Sequence, residues 1–395
     1  MRGVDKGQDN TFRIAPYTPY PTLTRGTASG KLIFMTVRSS SQHSLRRGGR
    51  QLLALAGTTV IESIQQPAAL LMLLTAVVTT LLVPVFQFHR FGEDGRLARD
   101  SGLSCMLIFG MALAVSSAGH AVAGELTRGT AAAVLGKPVA RPLFLLAKWV
   151  GVLGVVTLFW CAQLAATLLA ERISAHFLIR GDTAGYASDP ITLLLALTGL
   201  AVALFIAAAR HAVLRRRFGV SAFLGIPISQ GIVVLISGFY NRFGQLYPLY
   251  GEAACEGCGS AHTHETAQVW LYHAELNLRV IPAALLLLFV LAVFAALAVA
   301  LATRLPTGSV LTVCAMTLLL GLAGDALFAN AARFSARGLL AGVLPDLQHF
   351  WLCDRIARGG SVPGRYVAEA GLYALTCCAL FLTAGSVAFR NRDLG

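Results

Sequence analysis

GELTRGTAAAVLGKPVARPLFLLAK, residues Gly124 to Lys148, is a short charged stretch between two apolar runs, each long enough to cross a bilayer. It carries Glu125, Arg128, Lys137, Arg141 and Lys148. A segment of this length and charge between two spans belongs on the membrane surface. Its middle, Leu126 to Leu135, fits a brief amphipathic helix closed by Gly136, and Pro138 and Pro142 punctuate the return to the membrane. Taken alone, the stretch reads equally as an ordinary basic loop held inside by its Lys and Arg.

The chain around it is built for lipid. It has 395 residues, 56% of them hydrophobic and 13% charged. Soluble domains carry about twice that charged fraction. The formal charge of +13 comes mostly from arginine, and it falls in loops beside apolar runs. Basic residues so placed set membrane orientation, and no basic stretch interleaved with aromatics points to nucleic acid. The expected fold is an all-α polytopic transmembrane bundle of about eight spans. The spans are placed at 67–88, 102–122, 144–170, 191–209, 220–240, 280–302, 308–328 and 367–389. Together they make one transmembrane domain over 67–395.

Ahead of that domain, residues 1–44 are polar and rich in Pro, Gly, Ser and Thr, so disorder is expected there, and Met35 is a second candidate start. Residues 45–66 read as an amphipathic interfacial helix. Leu53, Ala56, Val60, Ile61 and Ile64 recur on one face, and Pro67 breaks it from the first span. The Arg cluster Arg210, Arg215, Arg216 and Arg217 is the strongest cytoplasmic marker. With an even number of spans it puts both termini in the cytoplasm. Arg333, Arg337, Arg355 and Arg358 fall on the other side and disagree with that rule. The loop Glu171–Asp189 is mixed in charge and is expected outside.

Three stretches carry a resemblance. The first is the acid Glu125, then Gly129-Thr130, a small apolar helix, Lys137-Pro138-Val139-x-Arg141, and Lys148 on the next span. The second is Leu344-Pro345-Asp346-Leu347-Gln348-His349-Phe350 ahead of the last span. The third is the ending Phe389-Arg390-Asn391-Arg392-Asp393-Leu394. The pattern resembles the ABC-2-type transporter permeases, from about residue 46 to the end, with two spans more than the six common in that family.

The resemblance implies that Gly124–Lys148 contains a coupling helix docking on an ATP-binding subunit. Glu125, Arg128, Thr130, Lys137 and Arg141 are then its candidate contacts. It further implies a second permease copy or homologue as partner, ATP bound by the partner subunit only, and export across the plasma (inner) membrane. The plainer alternatives stay open: Glu125 as an acid favoured at a helix start, and Arg128, Lys137 and Arg141 as headgroup anchors.

No Gly-x-x-x-x-Gly-Lys-Ser/Thr occurs, so the chain itself is not expected to bind or hydrolyse ATP, and no cofactor is expected in it. Cys255, Cys258, His262 and His264 have the ligand types for Zn or Cu; a Cys255–Cys258 disulfide and an inert loop are the competing readings. Asp325, near a span end, is a substrate or proton candidate or simply a solvated acid. The rival function is a secondary transporter or channel. It predicts paired intramembrane charges or broken helices at matching positions of two halves, and the sequence offers neither. Membrane lipid is an expected partner; nucleic acid is not.

Overall fold

A computed structural model describes residues 49–86, 95–127, 141–180, 183–240, 242, 276–323, 345–352 and 362–390. Ten helices organise this part, and we number those used below in chain order. Helix α1 covers 49–64, α2 Pro67–Leu82, α3 Arg96–Ala118 and α4 the single turn Gly124–Thr127. Helix α5 is Arg141–Ile173, α6 Pro190–Leu214, α7 Phe218–Ile236, α8 Val280–Ala302, α9 Thr307–Leu322 and α10 Gly364–Arg390. Among the described residues, seven helices are long and apolar enough to cross a membrane, α2 with the 3-10 turn Val83–Phe86 that carries its span to Phe86; α9, with 16 residues, is a shorter apolar helix. At 1.5 Å per residue α9 reaches only about 24 Å, short of a bilayer core of about 30 Å.

The chain is thus an all-α membrane bundle, with one short hairpin added. His176–Arg180 (β1) pairs antiparallel with Thr183–Ala187 (β2), His176 opposite Ala187. It lies within the stretch expected as a plain loop. The loop also begins later than expected, because Glu171 and Arg172 belong to the last turn of α5 and are buried.

Helices α3, α5 and α8 pack together at the centre and hold most of the buried apolar side chains. Burial here is side chain against side chain, with small residues setting the spacing. Gly102 of α3 faces Thr167 of α5 so closely that a Cβ would lie 2.6 Å from Thr167 Oγ1. The indoles of Trp149 and Trp160 donate to carbonyls of α8, Ala292 O at 3.1 Å and Ala284 O at 2.7 Å. Helix α10 packs along α8, and α6 and α7 form an outer hairpin leaning on α5 through α7.

Two ends of the bundle can be named by their buried cations. Arg172 and Asp189 mark one end. Lys148, the start of α5 and the end of α10 mark the other, since Phe389 stacks on Phe144 with centroids 6.0 Å apart. Helix α1 also lies at the Lys148 end, against Gly151 of α5.

The apolar side chains of α1 divide between the bundle and its outer surface. Ala56, Thr59, Ser63 and Ile64 turn inward, while Leu53 and Ile61 are 69% and 52% exposed. The reason is Gly151: a Cβ there would sit 2.6 Å from Thr59 Cβ and 2.9 Å from Ala56 O. Contact this close admits only small residues, so the larger apolar side chains face outward, where lipid would lie.

Candidate functional site

At the Lys148 end the chain leaves α3 through a π-turn, Gly119–Ala123, and then the single turn α4. A π-turn inserts an extra residue into the helix and re-aims the chain beyond it. Gly119 permits this turn to press on α9, since a Cβ there would meet Thr307 Oγ1 at 2.3 Å. The element delivers Glu125 against α5. Lys148 Nζ donates to Glu125 Oε1 at 2.5 Å, a charge-assisted bond.

The two partners are unequally exposed. The Lys148 side chain is 1% accessible and that of Glu125 19%. Lys148 also stands 5.5 Å from the centroid of Phe144, the ring that stacks on Phe389. A buried ammonium in apolar surroundings is retained only when paired, so the carboxylate holds the exit of α3 to the entry of α5. The stack continues that connection to the end of α10.

The other expected coupling residues are placed less fully. The backbone of Arg141 opens α5. Arg128, Thr130 and Lys137 lie outside the described residues, as do Cys255, Cys258, His262, His264, Asp325 and the extension 1–44. Among the described residues, no group of three or more His, Cys, Asp or Glu is placed to hold a metal ion. Cys105, Cys161, Cys314, Cys377 and Cys378, all within apolar helices, are free thiols.

The Arg172 end holds a polar cluster that sequence reading did not find. Arg172 Nε donates to Asp189 Oδ2 at 3.0 Å, and both side chains are fully buried. The guanidinium also donates to the carbonyls of Ser237 and Tyr240, the latter at 2.8 Å, and lies 4.8 Å from the centre of the Tyr240 ring. Asp189 caps α6: its Oδ1 accepts from Thr192 N at 2.9 Å and its Oδ2 from Thr192 Oγ1 at 2.5 Å.

Thr192 has one hydroxyl proton and gives it to Asp189, so the 2.8 Å contact between Thr192 Oγ1 and Tyr240 Oη must be donated by the phenol. Burial pushes the Tyr240 phenol above its ordinary range, the Thr192 bond opposing, which keeps that proton in place. The network ties the end of α5 to the start of α6 and the end of α7.

Beside it, Glu171 Oε1 accepts from Asn277 at 2.9 Å and faces Arg99 Nη1 at 3.4 Å, joining α5 to the starts of α8 and α3. Arg242 adds a bond to Ser174 O at 3.0 Å. These pairs close one end of the bundle; the Glu125–Lys148 pair braces the other. The sequence signal for them was present: Arg99, Glu171, Arg172 and Asp189 all sit at the margins of apolar runs, where an ionisable group needs a partner.

Comparison with known proteins places these features in context. A family model described as "ABC-2 family transporter protein" matches residues 23–257. That range takes in α1 through α7, both ends of the α3–α5 connection and the polar network around Arg172. No curated protein matches the chain.

Proposed function

Because the chain belongs to the ABC-2 family of transporter proteins, we propose that it is the permease subunit of an ATP-driven exporter whose ATPase is a separate polypeptide. The Lys148 end faces the cytoplasm of a cell with an inner (plasma) membrane, so both termini are cytoplasmic. The segment after Thr127 docks on the nucleotide-binding subunit, with Arg128, Thr130, Lys137 and Arg141 as its contacts. A second copy or a homologous permease completes the transport path.

One observation carries this reading: the 2.5 Å bond between Glu125 and Lys148 at the exit of α3. A docking segment transmits force only if it is fixed to the helices it must move. This bond fixes it to α5 at a buried point, and the Phe144–Phe389 stack extends the attachment to α10. Closure of the ATPase dimer then displaces α3, α5 and α10 as a connected group.

The rival reading, a secondary transporter, draws support from the buried pairs Arg172–Asp189 and Arg99–Glu171. Such a transporter places its charges near the middle of the bilayer, at helix breaks. Here they lie at helix ends and bind helix to helix, which favours a gate or brace.

The test is co-purification with a nucleotide-binding subunit, together with the ATPase activity of the complex. Arg128→Glu and Lys137→Glu should release the ATPase from the complex. Glu125→Gln should leave it bound but loosen the link between its turnover and transport. Equal recovery and equal coupling in all variants would overturn the reading.

A further inference from the structure

The tip joining α6 to α7 is the most cationic exposed surface among the described residues. Arg210, His211, Arg215, Arg216 and Arg217 fall within eight positions, all exposed. No Asp or Glu occurs between Pro190 and Tyr240 to balance them. Set among these cations, Val213 and Leu214 are 80% and 60% exposed. A protein partner would be expected to cover such side chains with shaped apolar contacts. A lipid interface takes both kinds of residue at once, cations at the headgroups and apolar side chains at the acyl boundary.

The tip is also a built structure. Arg215 adopts the left-handed conformation, φ 52°, that ends α6 and turns the chain, and its N–H donates to Arg210 O. Glycine takes that conformation without strain and arginine does not, so the position holds a charged side chain at a conformational cost. His211 Nδ1 donates to Arg216 O at 2.8 Å and closes the turn.

Arg217 donates to Gln65 Oε1, and Gly219 lies beside Ile64 O, a Cβ there meeting it at 3.3 Å. The tip is therefore fastened to the junction of α1 and α2. Helix α1 brings exposed Arg50 with outward Leu53 and Ile61 to the same end of the bundle.

We propose that Arg210, Arg215 and Arg216, with Arg50 of α1, form a binding surface for the headgroups of anionic phospholipids, Val213 and Leu214 entering the acyl boundary. The phosphate-bearing headgroup is recognised by guanidinium groups, which pair with phosphate oxygens through two parallel N–H bonds. The site anchors the outer α6–α7 hairpin to one leaflet and, through Arg217–Gln65, holds α1 in the same plane. It does not depend on the ATP-driven reading, since either kind of transporter could use it.

The test uses the full chain purified from nanodiscs made with equal parts phosphatidylcholine and phosphatidylglycerol, with retained lipid counted by native mass spectrometry. The wild type should retain phosphatidylglycerol in preference to phosphatidylcholine, and high salt should weaken the preference. Each arginine near such a surface contributes about fivefold, so Arg215→Gln with Arg216→Gln should lower the preference about thirtyfold.

Arg304→Gln is the control, because that guanidinium is spent on Ala388 O at the same end of the bundle; it should change little. Elution and helical content matching wild type establish that the variants are folded. No preference in the wild type, or a preference untouched by the double substitution, would overturn the proposal. So would a double variant that loses a co-purifying ATPase while keeping its phosphatidylglycerol.

Discussion

Removing Glu125 should harm the protein more than removing Lys148, although the two share one bond. In Glu125→Gln the ammonium stays where it was, 1% accessible, beside Phe144 and facing a neutral amide. Stripping the counter-charge from a buried ion costs about 3 kcal/mol, the low end of the range for such pairs. In Lys148→Met the methionine fills apolar space, and the Glu125 carboxylate, already 19% accessible, can take up water. The loss there is about 1.5 kcal/mol, the low end for a hydrogen bond between charged groups.

The double variant Glu125→Gln/Lys148→Met buries no charge and should return to within about 1 kcal/mol of wild type. The assay is reversible unfolding in mixed micelles followed by tryptophan fluorescence, run on the four proteins as a double-mutant cycle. Equal losses in the two single variants, or a double variant as unstable as both losses added, would refute the claim that Lys148 is the buried, dependent partner.

Other contacts set further expected outcomes. Asp189→Ala should cost about 3–5 kcal/mol because it leaves Arg172 buried without its carboxylate, whereas Tyr240→Phe, which removes one hydrogen bond to Thr192, should cost about 1 kcal/mol; the same unfolding assay ranks them. Gly151→Ala should cost about 1–3 kcal/mol by pressing on α1. Trimming the neighbour with Thr59→Ser should recover only part of this, because Ala56 O is a backbone atom 2.9 Å from the added Cβ. Phe389→Ala should leave ATPase binding intact and reduce transport per ATP hydrolysed, measured as substrate-stimulated turnover of the complex.

How much of the fold and site was legible in the sequence depends on the range over which each force acts. Spans are local: about 20 apolar residues in a row cannot be placed elsewhere than in a membrane or a large core. So α2, α3, α5, α6, α7, α8 and α10 stood out as apolar runs. Helix α9 did too, though its 16 helical residues fall short of a full crossing. Charged residues were visible, but their partners were not.

Glu125 and Lys148 both stand out in the sequence, 23 positions apart, without any sign that they bond to each other. Arg172 and Asp189, 17 positions apart, look like the two margins of a mixed loop, because nothing local shows that α5 keeps Arg172 inside or that the hairpin His176–Ala187 folds between them. The inward face of α1 was hidden for a related reason. Periodicity shows which residues share a side, but the glycine that decides which side packs inward, Gly151, lies on another helix.

The central claim is that the stretch after Glu125 stands on the cytoplasmic face, where an ATPase can press on it. Labelling Thr130→Cys, placed in a chain whose eight native cysteines are replaced by serine or alanine, with a membrane-impermeant maleimide tests this most directly. The account predicts labelling in inverted vesicles, protection when the nucleotide-binding subunit is bound, and none in intact cells. Labelling of intact cells from outside would contradict it, since no cytoplasmic ATPase could then reach the segment held by Glu125 and Lys148.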